Sequence, residues 1–283
     1  MTAPAIASTP TEVDRPKSNW LTRLSVTAIV VSVGLPLLAL VIWSFTFRWN
    51  FPDVLPAEWG VNAWSYTLSD SSRVFEGLAN SLIIGVLVTA LAILIGLPAS
   101  RVLGLSSFRG KSLVEWILMM PIIVPAIVAT MGIHVLFIRL GLANSVLGVA
   151  LVHLIPTIPY FVLVMASVFA NYGTDLEETA RTLGARPVQV FVHVTLPAIG
   201  PGLLVASMFT FLVSWSQYVT TLLIGGGRTI TLPLVLFPFI AGANHTVSAA
   251  ISLVFVAPAI VVLIFTARNL TRDAAIMGGF GRL

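Results

Sequence analysis

Long apolar runs separated by short polar segments dominate the chain. Six of these runs are long enough to cross a membrane, because about 20 apolar residues in a helix span the ~30 Å hydrocarbon core. Backbone groups in lipid must bond within their own segment, so the runs are predicted to be helices, and they are too long for barrel strands. The predicted spans are Leu21–Phe45, Gly77–Ser100, Leu113–Ile138, Val146–Ala170, Ala198–Ile224 and His245–Ala267.

The segments between these runs complete an all-α, polytopic membrane fold. The N-terminal segment is rich in Pro, Thr and Ala and is predicted to be disordered. The predicted divisions are residues 1–20 as a cytoplasmic N-terminus, 21–45 as the first span, 46–76 as an extracytoplasmic loop with room for small structure of its own, 77–267 as a core of five spans with a cytoplasmic loop at 171–197, and 268–283 as a cytoplasmic tail.

Charge supports a membrane location and sets the orientation. Only 9% of the 283 residues are charged, against about 25% in soluble proteins. Eleven of the 15 Lys and Arg residues fall in segments on one side of the predicted membrane, which is therefore the cytoplasmic side and holds both termini. The basic character thus reflects this face and not a nucleic-acid partner. The eleven are Arg15, Lys17, Arg23, Arg101, Arg109, Lys111, Arg181, Arg186, Arg268, Arg272 and Arg282.

The cytoplasmic loop at residues 171–197 is longer than a link between two helices requires. Thr174 followed by Glu177 fits a capping box, which predicts the start of a helix. Gly184 is predicted to end that helix, and Pro187 suits the first turn of a second one. The apolar positions are Leu176, Ala180 and Leu183 in the first helix and Val188, Phe191 and Val192 in the second.

Two interpretations of this apolar stripe are open. An exposed stripe of this kind favours docking of a partner protein. A helix lying on the membrane surface is the alternative, although such a helix usually presents a basic polar face, whereas acids lead this segment.

The same loop resembles the signature of the permease subunits of binding-protein-dependent ABC importers. That signature is Glu-Ala-Ala, three residues, Gly, nine residues, Ile, one residue and Leu-Pro. The spacing agrees throughout, and the two departures are Thr179 for the middle Ala and Val194 for Ile. The matching elements are Glu178-Thr179-Ala180, Gly184, Val194 and Leu196-Pro197.

The resemblance implies a type I importer fold in a bacterial inner membrane. It implies two permease cores, identical or homologous, two copies of a cytoplasmic ATPase that binds ATP and Mg²⁺, and an extracytoplasmic solute-binding protein. Glu178 and Ala180 would contact a groove in the ATPase, and Gly184 would hold the turn. The expected coupling residues are Thr174, Leu176, Glu178, Thr179, Ala180, Leu183, Gly184, Leu196 and Pro197.

The fifth span contains the most polar stretch of any span. Polar groups are costly in lipid unless they face protein or water, so this stretch is predicted to line a translocation pathway. Hydrogen bonding between helices is an equal alternative. The candidate pathway residues are Ser214, Trp215, Ser216, Gln217, Tyr218 and Thr220.

Other chemistry finds little support in the sequence. The stretch from Gly104 to Ser112 has the wrong glycine spacing for a phosphate-binding loop, so no cofactor is expected on this chain. The four histidines lack metal-ligand spacing, and no catalytic constellation is present, so neither a metal site nor an enzyme is expected. An ion-coupled secondary transporter or a channel remains the alternative, although such a carrier usually needs acidic residues inside its spans.

The solute is indicated only by resemblance. The region from Thr231 through the sixth span resembles permeases of the polyamine, thiamine, iron and phosphonate subgroup, which suggests a spermidine- or putrescine-like solute. Polyamine permeases commonly carry acids where this chain has Ser216 and Gln217. A polyamine would then need its negative partner from the second permease.

Overall fold

A computed structural model describes residues 20–49, 53 and 55–280, and this part of the chain is almost entirely helical. The predicted disordered N-terminus lies outside these residues, apart from Trp20. The elements are α1 (Trp20–Ser44), β1 (Thr46–Arg48), β2 (Glu58–Trp59), α2 (Asn62–Thr67), α3 (Val74–Leu105), α4 (Lys111–Ile123), α5 (Ala126–Arg139), α6 (Val146–Ala170), α7 (Asp175–Thr182), α8 (Pro187–Val190), a π-helical turn (Phe191–Thr195), α9 (Leu196–Trp215), α10 (Val219–Gly225), α11 (Leu232–Ala241) and α12 (His245–Phe280).

Helices of membrane-spanning length confirm the polytopic all-α fold. Five helices in the described part are long and apolar enough to cross a bilayer, and the number rises to six if the bent pair of α4 and α5 is counted as one span. Helix α3 has 32 residues, so it is about 48 Å long at 1.5 Å per residue. Because this exceeds the hydrocarbon thickness, one end of α3 reaches beyond the membrane core.

The core lies where α3, α6 and α9 pack together. Fully buried apolar side chains from the three helices fill it, namely Ile84 and Val88 from α3, Phe161 and Met165 from α6 and Ile199 from α9. Such packing excludes lipid and fixes the helices relative to one another.

Close helix contacts continue to the end of the bundle that leads into α7. A Cβ on Gly104 of α3 would lie 2.5 Å from Cβ of Phe169 and 2.6 Å from the carbonyl oxygen of Ala166, both in α6. A Cβ on Gly202 of α9 would overlap Val168 of α6. Small residues therefore bring both α3 and α9 against α6 near residues 166–169.

The third span is broken, which corrects the prediction of one helix over Leu113–Ile138. Helices α4 and α5 meet at 99°. Val124 is extended between them, with φ −74° and ψ 129°. Pro125 accounts for this, because proline disfavours helical geometry in the residue before it and has no N–H to donate.

The fifth span is also broken, which corrects the prediction of one helix over Ala198–Ile224. Helix α9 ends at Trp215 and α10 begins at Val219, so residues 216–218 leave the helix between them. These three residues were among the predicted pathway positions. The sequence carries no proline or glycine at this point, so local propensity alone does not account for the break.

The loop between α1 and α3 carries small structure, as its length allows. Strands β1 and β2 pair antiparallel, and α2 follows them. The indole N–H of Trp64 in α2 donates to the hydroxyl of Ser44 at 3.2 Å, and Trp43 stacks on Trp49 with ring centroids 4.4 Å apart. Tryptophans therefore tie this loop to the end of α1.

The last helix is longer than predicted. Helix α12 continues through Phe280, whereas the sequence was interpreted as a span to Ala267 followed by a tail over residues 268–283. No proline or glycine interrupts the chain between Pro258 and Gly278, so the helix has no local reason to stop at the end of the apolar run.

Candidate functional site

Residues 174–197, named here the coupling segment, fold as two short helices joined at a glycine. Helix α7 ends at Thr182, and Gly184 adopts a left-handed conformation with φ +88°. The N–H of Ala185 closes the turn on the carbonyl of Ala180 at 3.1 Å. Other residues lose about 1–2 kcal/mol in this conformation, so the turn has a physical reason to use glycine.

The coupling segment presents apolar side chains to its surroundings. Leu176, Leu183 and Val188 are 66%, 84% and 73% exposed. Phe191 and Val192 are also partly exposed, whereas Ala180 is half-buried. The predicted stripe thus lies on the outside of the segment, where no described residue of this chain covers it.

The predicted capping box does not form, and this prediction was wrong. The Thr174 side chain makes no capping bond to the backbone, and its hydroxyl donates to Oε1 of Glu178 at 3.0 Å. Glu177, the expected reciprocal partner, is turned inward and engages other residues. Thr179 donates to the carbonyl of Asp175 at 2.8 Å and takes no part in capping.

The buried carboxylate of Glu177 is the centre of an ion cluster with partly exposed arginines. Arg101, near the end of α3, donates from both terminal nitrogens at 2.9 and 2.7 Å, and Thr195 donates at 2.7 Å. The side chain of Glu177 is only 3% exposed. The Arg101 guanidinium lowers the pKa of Glu177 to about 2, because its hydrogen bonds and charge outweigh the effect of burial.

Aromatic side chains and a π-helical turn surround this cluster. The Arg101 guanidinium lies 5.7 Å from the centroid of the Phe169 ring, and Tyr172 meets the same ring edge-on.

The π-helical turn joins the coupling segment to α9. The N–H of Leu196 donates to the carbonyl of Phe191, an i to i−5 pattern that ends where α9 begins. Leu196 and Pro197 form the first turn of α9, so the coupling segment runs into this helix without a loop.

The break in the fifth span separates the predicted pathway residues into two groups. Ser214, Trp215 and Thr220 are buried inside this chain, which favours the alternative of hydrogen bonding between helices for these three. Ser216 is exposed, Gln217 is half-buried, and the Tyr218 ring stacks on Phe237 with centroids 4.0 Å apart. Of the six predicted pathway residues, the three at the break are those that are not buried inside this chain.

His153 of α6 bridges the two halves of the broken span. Its Nδ1 lies 3.0 Å from the Ser214 hydroxyl in α9, and its Nε2 lies 2.9 Å from the Thr221 hydroxyl in α10. Thr221 donates its own proton to the carbonyl of Gln217 at 3.0 Å. In the neutral imidazole one ring nitrogen donates and the other accepts, so the tautomer decides which of the two hydroxyls donates to the ring. The imidazole fixes the geometry of the break.

Several functional candidates escaped the sequence analysis. Arg101 counted there only toward topology, and neither Thr195 nor Thr221 was among the candidate site residues. Glu177 and Arg181 stand four residues apart in one helix, and this spacing was the available signal for an ion pair. In the described ranges, no group of three or more His, Cys, Asp or Glu residues is arranged to hold a metal ion.

The family model described as "Binding-protein-dependent transport system inner membrane component" matches residues 92–274, from α3 into α12. The chain belongs to this family. It is therefore a permease subunit of an ABC importer, and the matched region contains the entire coupling segment and the break in the fifth span.

Relatives of this permease carry different solutes. The molybdenum transport permease ModB of Mycobacterium tuberculosis is 30% identical, over 92% of this chain and 96% of the relative. The putrescine transport permease PotI of Escherichia coli is 27% identical, over 80% of this chain and 82% of the relative. The putative 2-aminoethylphosphonate permease PhnV of Salmonella typhimurium is 28% identical over 81% and 85%.

Solved structures confirm the type I importer permease fold. A chain of a bacterial ABC transporter that imports alginate superposes with a TM-score of 0.68 over 90% of this permease and 99% of that chain, at 18% identity. A chain of the MetNI methionine ABC transporter in an inward-facing conformation gives a TM-score of 0.56 over 69% and 94%, also at 18% identity.

Proposed function

We propose that the coupling segment of this permease is the docking element for a cytoplasmic ATPase. The supporting observation is the exposed apolar row of Leu176, Leu183 and Val188 on a segment that is fixed to the bundle by the ion cluster around Glu177. Apolar side chains in such a row favour contact with a partner protein. Glu178, exposed beside this row, supplies a charge for contact with the partner.

The permease has no proposed catalytic role of its own. ATP and Mg²⁺ bind the partner ATPase, present in two copies, and two permease cores form the pathway. An extracytoplasmic solute-binding protein delivers the solute. These partners are proposed from the family and from relatives, among them the alginate transporter in complex with its periplasmic protein.

Both termini are proposed to be cytoplasmic, in agreement with the excess of Lys and Arg on that side. In this orientation the coupling segment lies in the cytoplasm, and the loop between α1 and α3 lies on the opposite side. The ATPase and the solute-binding protein then meet opposite faces of the permease.

The pathway is proposed to pass the break between α9 and α10, where Ser216, Gln217 and Tyr218 leave the helix. The solute is a small polar or charged molecule, and a polyamine such as putrescine is the first candidate beside molybdate and a phosphonate. In the described spans no carboxylate lies at this break. A polyamine would need an acidic residue of the second permease to pair with its charge.

The test of docking is co-purification of the solubilised full chain with its ATPase. Leu183→Asp should lose most of the bound ATPase, because a carboxylate cannot be desolvated in an apolar contact without a partner. Leu68→Asp is the matched control, since Leu68 is 55% exposed in the loop between α1 and α3.

Equal ATPase recovery with Leu183→Asp and wild type would contradict docking at this row. If the wild-type chain retains no ATPase at all, docking of the ATPase by the coupling segment is contradicted.

A further inference from the structure

The carboxylate of Glu177 lies where α3, α7 and the base of α9 meet. Its Oε1 accepts from Nη1 of Arg101 at 2.9 Å and from the hydroxyl of Thr195 at 2.7 Å. Its Oε2 accepts from Nη2 of Arg101 at 2.7 Å and lies 3.5 Å from Nη2 of Arg181. Both oxygens are thus fully engaged, and three separate elements contribute the donors.

The neighbouring acid is placed in the opposite way. Glu178 is exposed, and its carboxylate accepts only from Thr174 within the segment. Successive residues of a helix point about 100° apart, so two adjacent acids can face opposite sides. Glu178 faces the proposed ATPase, whereas Glu177 faces the permease's own helices.

The geometry of this contact restricts relative motion. A bidentate Arg–carboxylate pair fixes both the distance and the orientation of its partners, and bonds to ionised groups are stronger than neutral ones. Thr195 is 1% exposed and ends the π-helical turn that leads directly into α9. Helix α7 therefore cannot shift against α3 or α9 without breaking charge-assisted bonds in a buried place.

We propose that Arg101, Glu177 and Thr195 form a latch that makes the coupling segment move as one body with α3 and α9. The latch transmits displacement of the docked ATPase into the membrane helices, and through α9 to the break at residues 216–218. Arg101 and Glu177 are positioning residues in this scheme. The proposal rests on the docking role of the coupling segment proposed above.

The first test uses hydrogen exchange of the solubilised full chain without ATPase. Glu177→Gln keeps the shape of the side chain but removes the ion pair, so amide exchange in residues 174–197 should rise about tenfold. Glu178→Gln is the matched control at the adjacent position and should leave exchange within about twofold of wild type. Equal exchange in the two variants would overturn the latch.

The second test asks whether displacement of the coupling segment reaches the break in the fifth span. It uses the complex with the ATPase, and ATP with vanadate is the probe. In wild type, adding the probe should change exchange both in residues 174–190 and at the break, residues 214–221. In Glu177→Gln the ATPase should stay bound. The change of exchange in residues 174–190 should remain, while the change in residues 214–221 should disappear. A change at the break equal to that of wild type would overturn the proposal.

Arg101→Lys provides a second variant if Glu177→Gln does not fold. Lysine keeps the charge but lacks the fork that binds both carboxylate oxygens, so it should give the same loss of transmission. Adding Arg101→Gln to Glu177→Gln should cause no further rise of amide exchange in residues 174–197, because both changes break one contact. An additive rise would overturn the latch. A wild-type chain that retains no ATPase contradicts docking only, since exchange of the free chain still tests the latch.

Discussion

At the scale of single residues, two adjacent acids of α7 lie in opposite environments, although the sequence does not distinguish them. Glu177 is buried against Arg101 and Thr195, whereas Glu178 is exposed. Both match the N-terminal preference of a helix for negative charge equally well. Which acid turns inward is decided by the guanidinium at the end of α3, a residue 76 positions away in the chain.

Acid should weaken this contact at a defined pH. The pKa of Glu177 is lowered to about 2 from an ordinary value of 4.5. The stability that the ionised carboxylate contributes to the fold is therefore complete above about pH 4.5 and is lost as pH falls toward 2. The side chains around it are Arg101, Arg181 and Tyr172, and burial raises the pKa of Tyr172.

Pepsin cleavage within residues 174–197 measures this loss, because the protease acts in the same pH range. Cleavage should rise steeply as pH falls from 4.5 to 2 in wild type, relative to cleavage in the loop between α1 and α3. In Glu177→Gln cleavage should be high throughout the range. The same pH profile in both proteins would contradict the role of this carboxylate.

At the scale of elements, the joint between α7 and α8 depends on Gly184. Its φ of +88° is open to glycine but unfavourable for other residues. Gly184→Ala should therefore destabilise the turn by about 1–2 kcal/mol and reduce ATPase co-purification. Gly200→Ala in α9 is the matched control, because Gly200 has an ordinary φ and open space around a new Cβ.

Thermal unfolding and co-purification, measured together, distinguish the two glycine variants. Gly200→Ala should leave both unchanged or raise stability slightly, because alanine favours a helix. A loss of ATPase as large in Gly200→Ala as in Gly184→Ala would show that the effect does not arise from the turn.

The broken spans show where hydrophobic patterning stops being informative. The first break lies in apolar sequence and the second in the most polar stretch of any span, and neither pattern predicts that the helix ends there. Pro125 lies at the first break, but a proline is compatible with a mild kink as well as with the 99° bend found here. The break after Trp215 depends on tertiary contacts, since Trp215 stacks between Phe211 and Phe255, and Tyr218 stacks on Phe237.

At the scale of the whole molecule, the orientation of the permease is directly testable. The chain contains no cysteine, so a single introduced cysteine reports one position. Ser71→Cys in the loop between α1 and α3 and Thr182→Cys in α7 are both at exposed positions. An impermeant thiol reagent should label Ser71→Cys in intact cells and Thr182→Cys only in inverted vesicles. The reverse labelling would contradict the proposed orientation.

The sequence by itself determined the membrane character and the family of this protein. Apolar runs must become helices in lipid because the backbone has no other partner there, and this constraint acts locally. The spacing of Glu178, Gly184 and Leu196 is likewise local, so the coupling segment and its glycine joint could be predicted.

Only the tertiary structure decided which polar side chains work together. The contacts of Glu177 with Arg101, and of His153 with Ser214 and Thr221, join residues far apart in the chain. No periodicity encodes such contacts, since they arise when helices pack closely enough to bury polar groups that must then pair with one another. For the same reason, half of the predicted pathway residues proved to be interior packing.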